Sequence, residues 1–349
     1  MKVGIVGLAK SGKTTVFNAL TGSSAQTGTF GAQKANLAVI KVPDKRVDYL
    51  ASIFNPRKMV YAEISFVDVP GPSDETKGSL GGTKNIDMIK GVDTLAVVVR
   101  AFMDESFLLE ETVDPLRDFR AVESELMVID LIMLEKKLER LEKEGKRGIE
   151  HDLVKRCKDS LDKEKPLRLL DFNEAELKLL SGFQLLSLKP LLILANTGEI
   201  RSADLAPLKD FAKKQQTPVI DFCGAIEMEL SEMSEDEQRE FLFELGIGES
   251  ARDRFIRAAY ELSNLISFLT VGEDEVRAWS IKKGALAPQA GGKVHSDIER
   301  GFIRAEVVSY EDFVNYNSLS KAKEAGKVRL EGKQYVVKDG DIINFRFNV

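Results

Sequence analysis

Cysteine and histidine are nearly absent: Cys157, Cys223, His151 and His295 are all that 349 residues contain. Two cysteines so far apart exclude a disulfide framework and suit a reducing compartment, and no Cys/His cluster has the spacing of a zinc site. Long apolar runs are missing too; none approaches the roughly 18 residues of a membrane helix. The chain begins directly in a short apolar strand, so no signal or transit peptide is expected and the cytoplasm is the expected location. Charge of one sign is not in large excess. Lys and Arg number 50 and Asp and Glu 56, a net −6, which argues against binding nucleic acid through the whole surface while leaving room for a basic face on one domain. Internal repeats and low-complexity tracts are lacking as well. What remains is an ordinary globular composition, 43% apolar and 30% charged, long enough for two or three domains.

The most informative stretch is Gly7-Leu8-Ala9-Lys10-Ser11-Gly12-Lys13-Thr14, which spells G-x-x-x-x-G-K-[ST]. Val3, Ile5 and Val6 before it read as a buried strand, and Thr15 to Leu20 after it as a helix. That order is the context a P-loop needs: glycines turn backbone N–H groups inward around phosphate oxygens, and the helix N-terminus adds partial positive charge. Lys13 is placed to reach the β- and γ-phosphates, the Thr14 hydroxyl to bind Mg²⁺, and Gly7, Lys10, Ser11, Gly12 and Thr15 to line the anion. The chain is expected to bind a nucleoside triphosphate.

Strands and helices then alternate. Asn36 to Val42, Tyr61 to Val67, Thr94 to Val99, Leu191 to Ala195 and Thr217 to Phe222 read as strands, and Val47, Leu50, Ile53 and Phe54 have helical spacing. Continuous apolar runs such as Thr94 to Val99 suit strands buried on both faces, so a mostly parallel sheet is expected. Beyond Asp114-Pro115 the character changes. Met127, Leu131, Leu134, Leu138 and Leu141, answered by Val154, Cys157 and Leu161 across a polar break, predict an antiparallel helical hairpin inserted into the sheet domain. From Ile266 short β-like runs separated by glycines predict a small β-rich domain: Val276 to Ile281, Phe302 to Val308, Gln334 to Val337 and Ile342 to Phe347. The α/β chain therefore divides into a nucleotide-binding domain (1–118 and 186–265), a coiled-coil insertion (119–185) and a C-terminal β-rich domain, β-grasp-like or barrel-like (266–349).

Asp68-Val69-Pro70-Gly71 fits the D-x-x-G element of GTPase-like proteins, with Asp68 toward Mg²⁺ and the Gly71 N–H toward the γ-phosphate. With the P-loop, this chain resembles the YchF or Obg-like ATPase family of translation-associated proteins. The resemblance is carried by Val42-Pro43-Asp44-Lys45-Arg46, Val113 to Asp118, Glu275 to Trp279, Ala287 to Ala290, Gly301 to Glu306 and the closing Asp339 to Val349. It implies a P-loop domain, an inserted helical arm and a C-terminal TGS domain in that order, with a ribosomal partner and a monomeric state. It also bears on the base. Guanine-specific relatives use N-K-x-D, whereas here Asn196-Thr197-Gly198-Glu199 keeps the Asn and replaces the Asp. Losing the bidentate contact to guanine costs about 1–3 kcal/mol, which favours ATP while leaving GTP open. In the bland alternative Asn196 caps its turn.

Several positions depart from the family. Ala32 stands where a switch Thr is usual, with Thr27 and Thr29 nearby; Pro72 follows Gly71 and has no N–H to orient water; and Cys223-Gly224-Ala225 lacks the Lys of the S-A-K-like element. Lys10 replaces an Asn that in some relatives helps hold a monovalent cation, so its ammonium either acts as a tethered cation beside the phosphates or is a solvated loop residue. Lys13, Lys10 and Gly71 are the candidate catalytic groups, and slow hydrolysis is expected. The alternatives are a non-hydrolysing nucleotide-gated module and a GTPase of the Obg-related class. Lys282, Lys283, Lys293, Arg300 and Arg304, with Phe302 and His295, form either a face for ribosomal RNA or a solvated surface. Trp279 reads as a core or interface anchor.

Overall fold

A computed structural model describes residues 1–22, 36–70, 80–103, 112–199 and 203–348. Its first elements are β1 (Lys2–Val6), α1 (Lys13–Thr21), β2 (Asn36–Lys41), α2 (Lys45–Phe54), β3 (Lys58–Val60), β4 (Glu63–Asp68), α3 (Thr83–Lys90) and β5 (Thr94–Arg100). Next come α4 (Pro115–Lys143), α5 (Ile149–Leu161), α6 (Glu174–Leu180), β6 (Leu191–Thr197), α7 (Ala206–Lys214) and β7 (Val219–Cys223). Three helices follow: α8 (Gly224–Glu232), α9 (Glu235–Glu244) and α10 (Ala251–Leu262). The remainder is β8 (Leu265–Val271), β9 (Glu275–Lys282), α11 (Ala287–Val294), α12 (Ser296–Arg300), β10 (Phe302–Ser309), α13 (Tyr310–Tyr316), α14 (Leu319–Glu324), β11 (Arg329–Glu331) and β12 (Asp341–Phe347).

Two compact units result, one of residues 1–40 and 65–259, the other of 41–64 and 260–349. The first is built on a sheet of order β2-β4-β1-β5-β6-β7. Strand β1 pairs in parallel with β4 and β5, β5 with β6 and β6 with β7. The apolar run of β5 is buried from Thr94 to Val99 and only Arg100 is half-exposed, as expected for a strand covered on both faces.

Helix α4 starts where the sequence marks it. Asp114 caps it by accepting the Arg117 N–H at 3.0 Å, and Pro115 occupies the first helical turn, where its missing N–H costs nothing. Its 29 residues belong to two cores in succession. Phe119, Val122 and Leu126 share the sheet core with Leu95, Val97 and Ile193. Met127, Leu131, Leu134 and Leu138 pack instead with Leu153, Val154, Cys157 and Leu161 of α5, which is the expected helical hairpin. Asp130 stands at the junction. Buried, it accepts the N–H groups of Leu186 and Ser187 at 2.8 and 2.7 Å and the Ser187 hydroxyl at 2.6 Å. The returning chain is thereby fixed to α4 just before it enters β6. Burial pushes the Asp130 carboxyl up, against these three donors.

The second unit holds a mixed sheet of order β11-β10-β12-β8-β9-β3. Phe268, Phe302, Phe345 and Trp279 meet on one face as ring pairs 5.9 to 6.4 Å apart. Residues 41–64 contribute α2 and β3 to this unit: β3 extends the sheet beside β9, and Phe54 of α2 stacks on Phe313 at 5.6 Å. Arg46 ties the segment further by pairing with Asp44 at 2.8 Å and Asp339 at 2.7 Å. Two expectations change here. Gln334 to Val337 is not a strand but a turn-like segment held by the single bridge Leu286 to Val336, because Tyr335 N bonds back to Gly332 O rather than across a ladder. Phe302 is buried in the aromatic core, so it is not a stacking surface; the five basic residues near it are exposed.

Replacing Asp130 by Ala leaves the Leu186 and Ser187 donors buried without an acceptor and is expected to destabilise the first unit by about 3 kcal/mol. Urea denaturation followed by circular dichroism measures this. An unchanged midpoint would mean that apolar packing alone holds the arm.

Candidate phosphate-binding site

The glycine loop has a shape that only glycine permits at two points. Gly7 has φ 157, and a Cβ there would lie 2.3 Å from the Val98 carbonyl; Gly12 has φ 83, and its Cβ would lie 2.1 Å from Asn196 Nδ2. The backbone is thus drawn against β5 and β6 with no room for side chains. Gly12 is also the N-cap of α1 and offers no side-chain acceptor, so the first-turn N–H groups have no capping group from that residue. Ser11 is buried and its Oγ has no hydrogen-bond partner among the described residues. An orphaned hydroxyl, a glycine cradle and an uncapped helix start suit an anion.

Lys13 lies buried in this loop and donates from Nζ to Gly7 O at 2.9 Å and Leu8 O at 2.7 Å. Burial lowers its pKa from 10.5 to about 8, with the nearby Asp68 carboxylate working the other way. Asp68 is brought there by sheet register, opposite Ile5 at the end of β4. Burial raises its pKa, while the Asn36 amide, donating at 3.3 Å, and the Lys13 charge lower it. In the sequence Asn36 is marked only as the first residue of the strand read from Asn36 to Val42, which gives no sign of this contact.

Asn196 ends up as a clasp. Its Nδ2 donates to Ser11 O at 3.1 Å and its Oδ1 accepts the Gly224 N–H at 3.3 Å. It therefore ties the glycine loop to the β7–α8 turn, and both ends of its amide are engaged. A Cβ on Gly224 would meet Thr15 Cγ2 and Asn196 Oδ1 at 3.2 Å, a tight fit that a larger residue would enter only if these side chains gave way by a few tenths of an ångström. Thr14 and Thr15 are half-buried in the first turn of α1, and Lys10 and Glu199 are exposed. Phe102, missed from the sequence, lies 3.7 Å from the Cβ position of Gly12. Gly71, Thr27, Thr29, Ala32 and Pro72 fall outside the described residues.

Among the described residues no three carboxylate, Cys or His groups gather as a self-contained metal site. Mg²⁺ at phosphoryl sites usually takes only one or two protein oxygens and completes its shell with water and phosphate. A hydroxyl at Thr14 and a carboxylate at Asp68 are the right hard donors for that role, and no helix among the described residues is long and apolar enough to cross a membrane.

A family model described as a 50S ribosome-binding GTPase matches residues 2–146, and a C-terminal YchF GTPase model, described as a protein of unknown function, matches 265–348. Over the full length of both chains, this chain is 41% identical to the ribosome-binding ATPase YchF of Bacillus subtilis. It is 39% identical to the protein of that name from Escherichia coli O157:H7, covering 100% of this chain and 99% of the other. A solved structure, the YchF GTPase of Schizosaccharomyces pombe, superposes with a TM-score of 0.89 at 31% identity over 99% of this chain and 97% of that one.

NMR of the lysine ¹³Cε groups in the full chain is expected to show Lys13 titrating near 8, below its ordinary 10.5, and moving upward when tripolyphosphate is added. Between those two pH values the denatured chain keeps a proton that the native state has released. This group therefore makes the native state more stable as pH rises through that window. Titration of Lys13 above 10 would refute the buried placement.

Proposed function

The chain belongs to the YchF family, and on that premise we propose that it binds a nucleoside triphosphate with Mg²⁺, prefers ATP, hydrolyses it slowly and works in association with the ribosome. The observation that carries the reading is Lys13, folded onto the carbonyls of Gly7 and Leu8 in a glycine cradle facing Asp68. When triphosphate arrives, the ammonium exchanges two carbonyl oxygens for β- and γ-phosphate oxygens, which hold its proton more strongly. The N–H groups of α1 take the remaining phosphate charge. Thr14 and Asp68 would hold Mg²⁺, which when bound neutralises phosphate charge as it shifts.

Preference for ATP rests on Glu199. The Asn196 amide is occupied by Ser11 O and Gly224 N, so in this state it shapes the pocket and leaves base discrimination to neighbours. Glu199 offers no Asp carboxylate at the position that reads guanine. The ribosomal association rests on the names of the relatives, and Lys282, Lys283, Lys293, Arg300 and Arg304, all exposed, are proposed to meet RNA phosphates. A monomer in the cytoplasm fits this role.

Slow turnover follows from Ala32 and Pro72, which remove groups that position switch and water. The same two residues favour the second reading, a nucleotide-gated module that does not hydrolyse. Lys10, exposed in the loop, is proposed to stand in for a monovalent cation, and a GTPase of the Obg-related class is the third choice.

Equilibrium titration with fluorescent ATP and GTP analogues, paired with single-turnover hydrolysis with and without ribosomes, tests these assignments. Lys13→Ala should abolish binding. Glu199→Asp should raise GTP affinity relative to ATP by about tenfold. Lys10→Asn should slow turnover and make it potassium-dependent; strong potassium stimulation of the wild type would refute the role given to Lys10.

A further inference from the structure

The chain's excess negative charge is concentrated in one place. Residues 227–249, covering α8, α9 and the turn after them, hold nine carboxylates and a single arginine, which outweighs the −6 of the whole chain. Little of this charge is neutralised. Asp236 pairs with Arg239, and Glu249 with Arg257, while Glu229, Glu232, Glu240 and Glu244 are exposed and have no ion pair among the described residues. Glu227 is different: buried, it accepts the N–H groups of Ala251 and Arg252 at 2.6 and 3.2 Å and so caps α10.

Within this acidic surface sit three apolar side chains in five residues. Phe243 is 85% exposed, Leu245 44% and Ile247 37%. Scattered exposed apolar residues are ordinary, but a cluster topped by a nearly naked phenylalanine is not. Nor is the display loose. Helix α9 ends with Gly246 at φ 68, where Ile247 N bonds Leu242 O at 2.8 Å and Gly246 N bonds Phe243 O at 3.0 Å. These are the two bonds of a Schellman cap, which fixes the turn and the direction of its side chains. A ready-ordered apolar anchor loses little freedom on binding.

We propose that α8, α9 and the capped turn form a docking surface for a lysine- and arginine-rich amphipathic protein segment, with Phe243 as the anchor. Charge decides among occupants. A nucleic acid, an anionic membrane or a second copy of the same face would bring like charge against Glu240 and Glu244, whereas a basic peptide brings its complement and an apolar stripe for Phe243.

The test uses the full chain and a fluorescein-labelled leucine–lysine amphipathic peptide followed by anisotropy, beside its leucine–glutamate twin and a single-stranded RNA oligonucleotide. The lysine peptide is expected to bind and to weaken with salt, and the glutamate twin not to bind. Phe243→Ser should lower affinity about tenfold, and the double change Glu240→Gln/Glu244→Gln should flatten the salt dependence. Nucleotide binding, far from these side chains in role, should be unchanged in both and serves as the folding control. Unchanged peptide affinity in Phe243→Ser would overturn the proposal. So would a loss of RNA binding, or of self-association in sedimentation, in its place.

Discussion

Parallel pairing of β1 between β4 and β5 is the constraint from which the site follows. Parallel strands end on the same edge of a sheet, so Gly7 after β1, Asp68 at the end of β4, Asn196 near the end of β6 and Gly224 after β7 arrive together although they are far apart in sequence. The register does the rest. Ile5 opposite Asp68 sets the carboxylate level with the start of the glycine loop. Ligands of open α/β sheets bind at this edge for the same reason.

Burial then creates a tension inside the site. A buried ammonium and a partly desolvated carboxylate each disfavour their own charge, and each partly restores the other's. Neutral carbonyls of Gly7 and Leu8 are modest partners for Lys13, so the loop is held in a condition that an anion improves. Elsewhere buried charge serves anchoring. Glu123 of α4 pairs with Arg168, which also reaches Gln215 at 3.1 Å. Together with Asp130, this joins the base of the arm to the chain leaving and re-entering it.

Much of this is legible in the sequence alone. The P-loop is legible because its glycines answer to local backbone geometry, and the central strands because burial on both faces leaves an unbroken apolar run. The arm is legible because its leucines repeat at helical spacing and Asp114-Pro115 announces a helix start. Other features depend on distant partners and leave no local mark. The periodicity of Val47, Leu50 and Phe54 says that a helix buries one face, but not that Phe313, far along the chain, receives it. Gln334 to Val337 is rich in strand-favouring residues, yet forms one isolated bridge instead of a ladder. Phe302 looks equally suited to a surface or a core until the facing Phe345 is known. The clasp that Asn196 forms between Ser11 and Gly224 likewise depends on residues that nothing in its own neighbourhood of the sequence announces.

Helix α4 has one further mechanical consequence. It contains no interior glycine or proline over its 29 residues, and its first turns are embedded in the sheet core while its last turns form the arm. At 1.5 Å per residue such a rod is about 44 Å long, so a tilt of roughly five degrees at Pro115 carries Lys143 through about 4 Å. Leu80, whose N–H is held by Glu125 of this helix at 3.0 Å, marks where the chain after Asp68 grips it near the fulcrum. Displacements too small to notice at the base of the helix would be legible at the arm's tip.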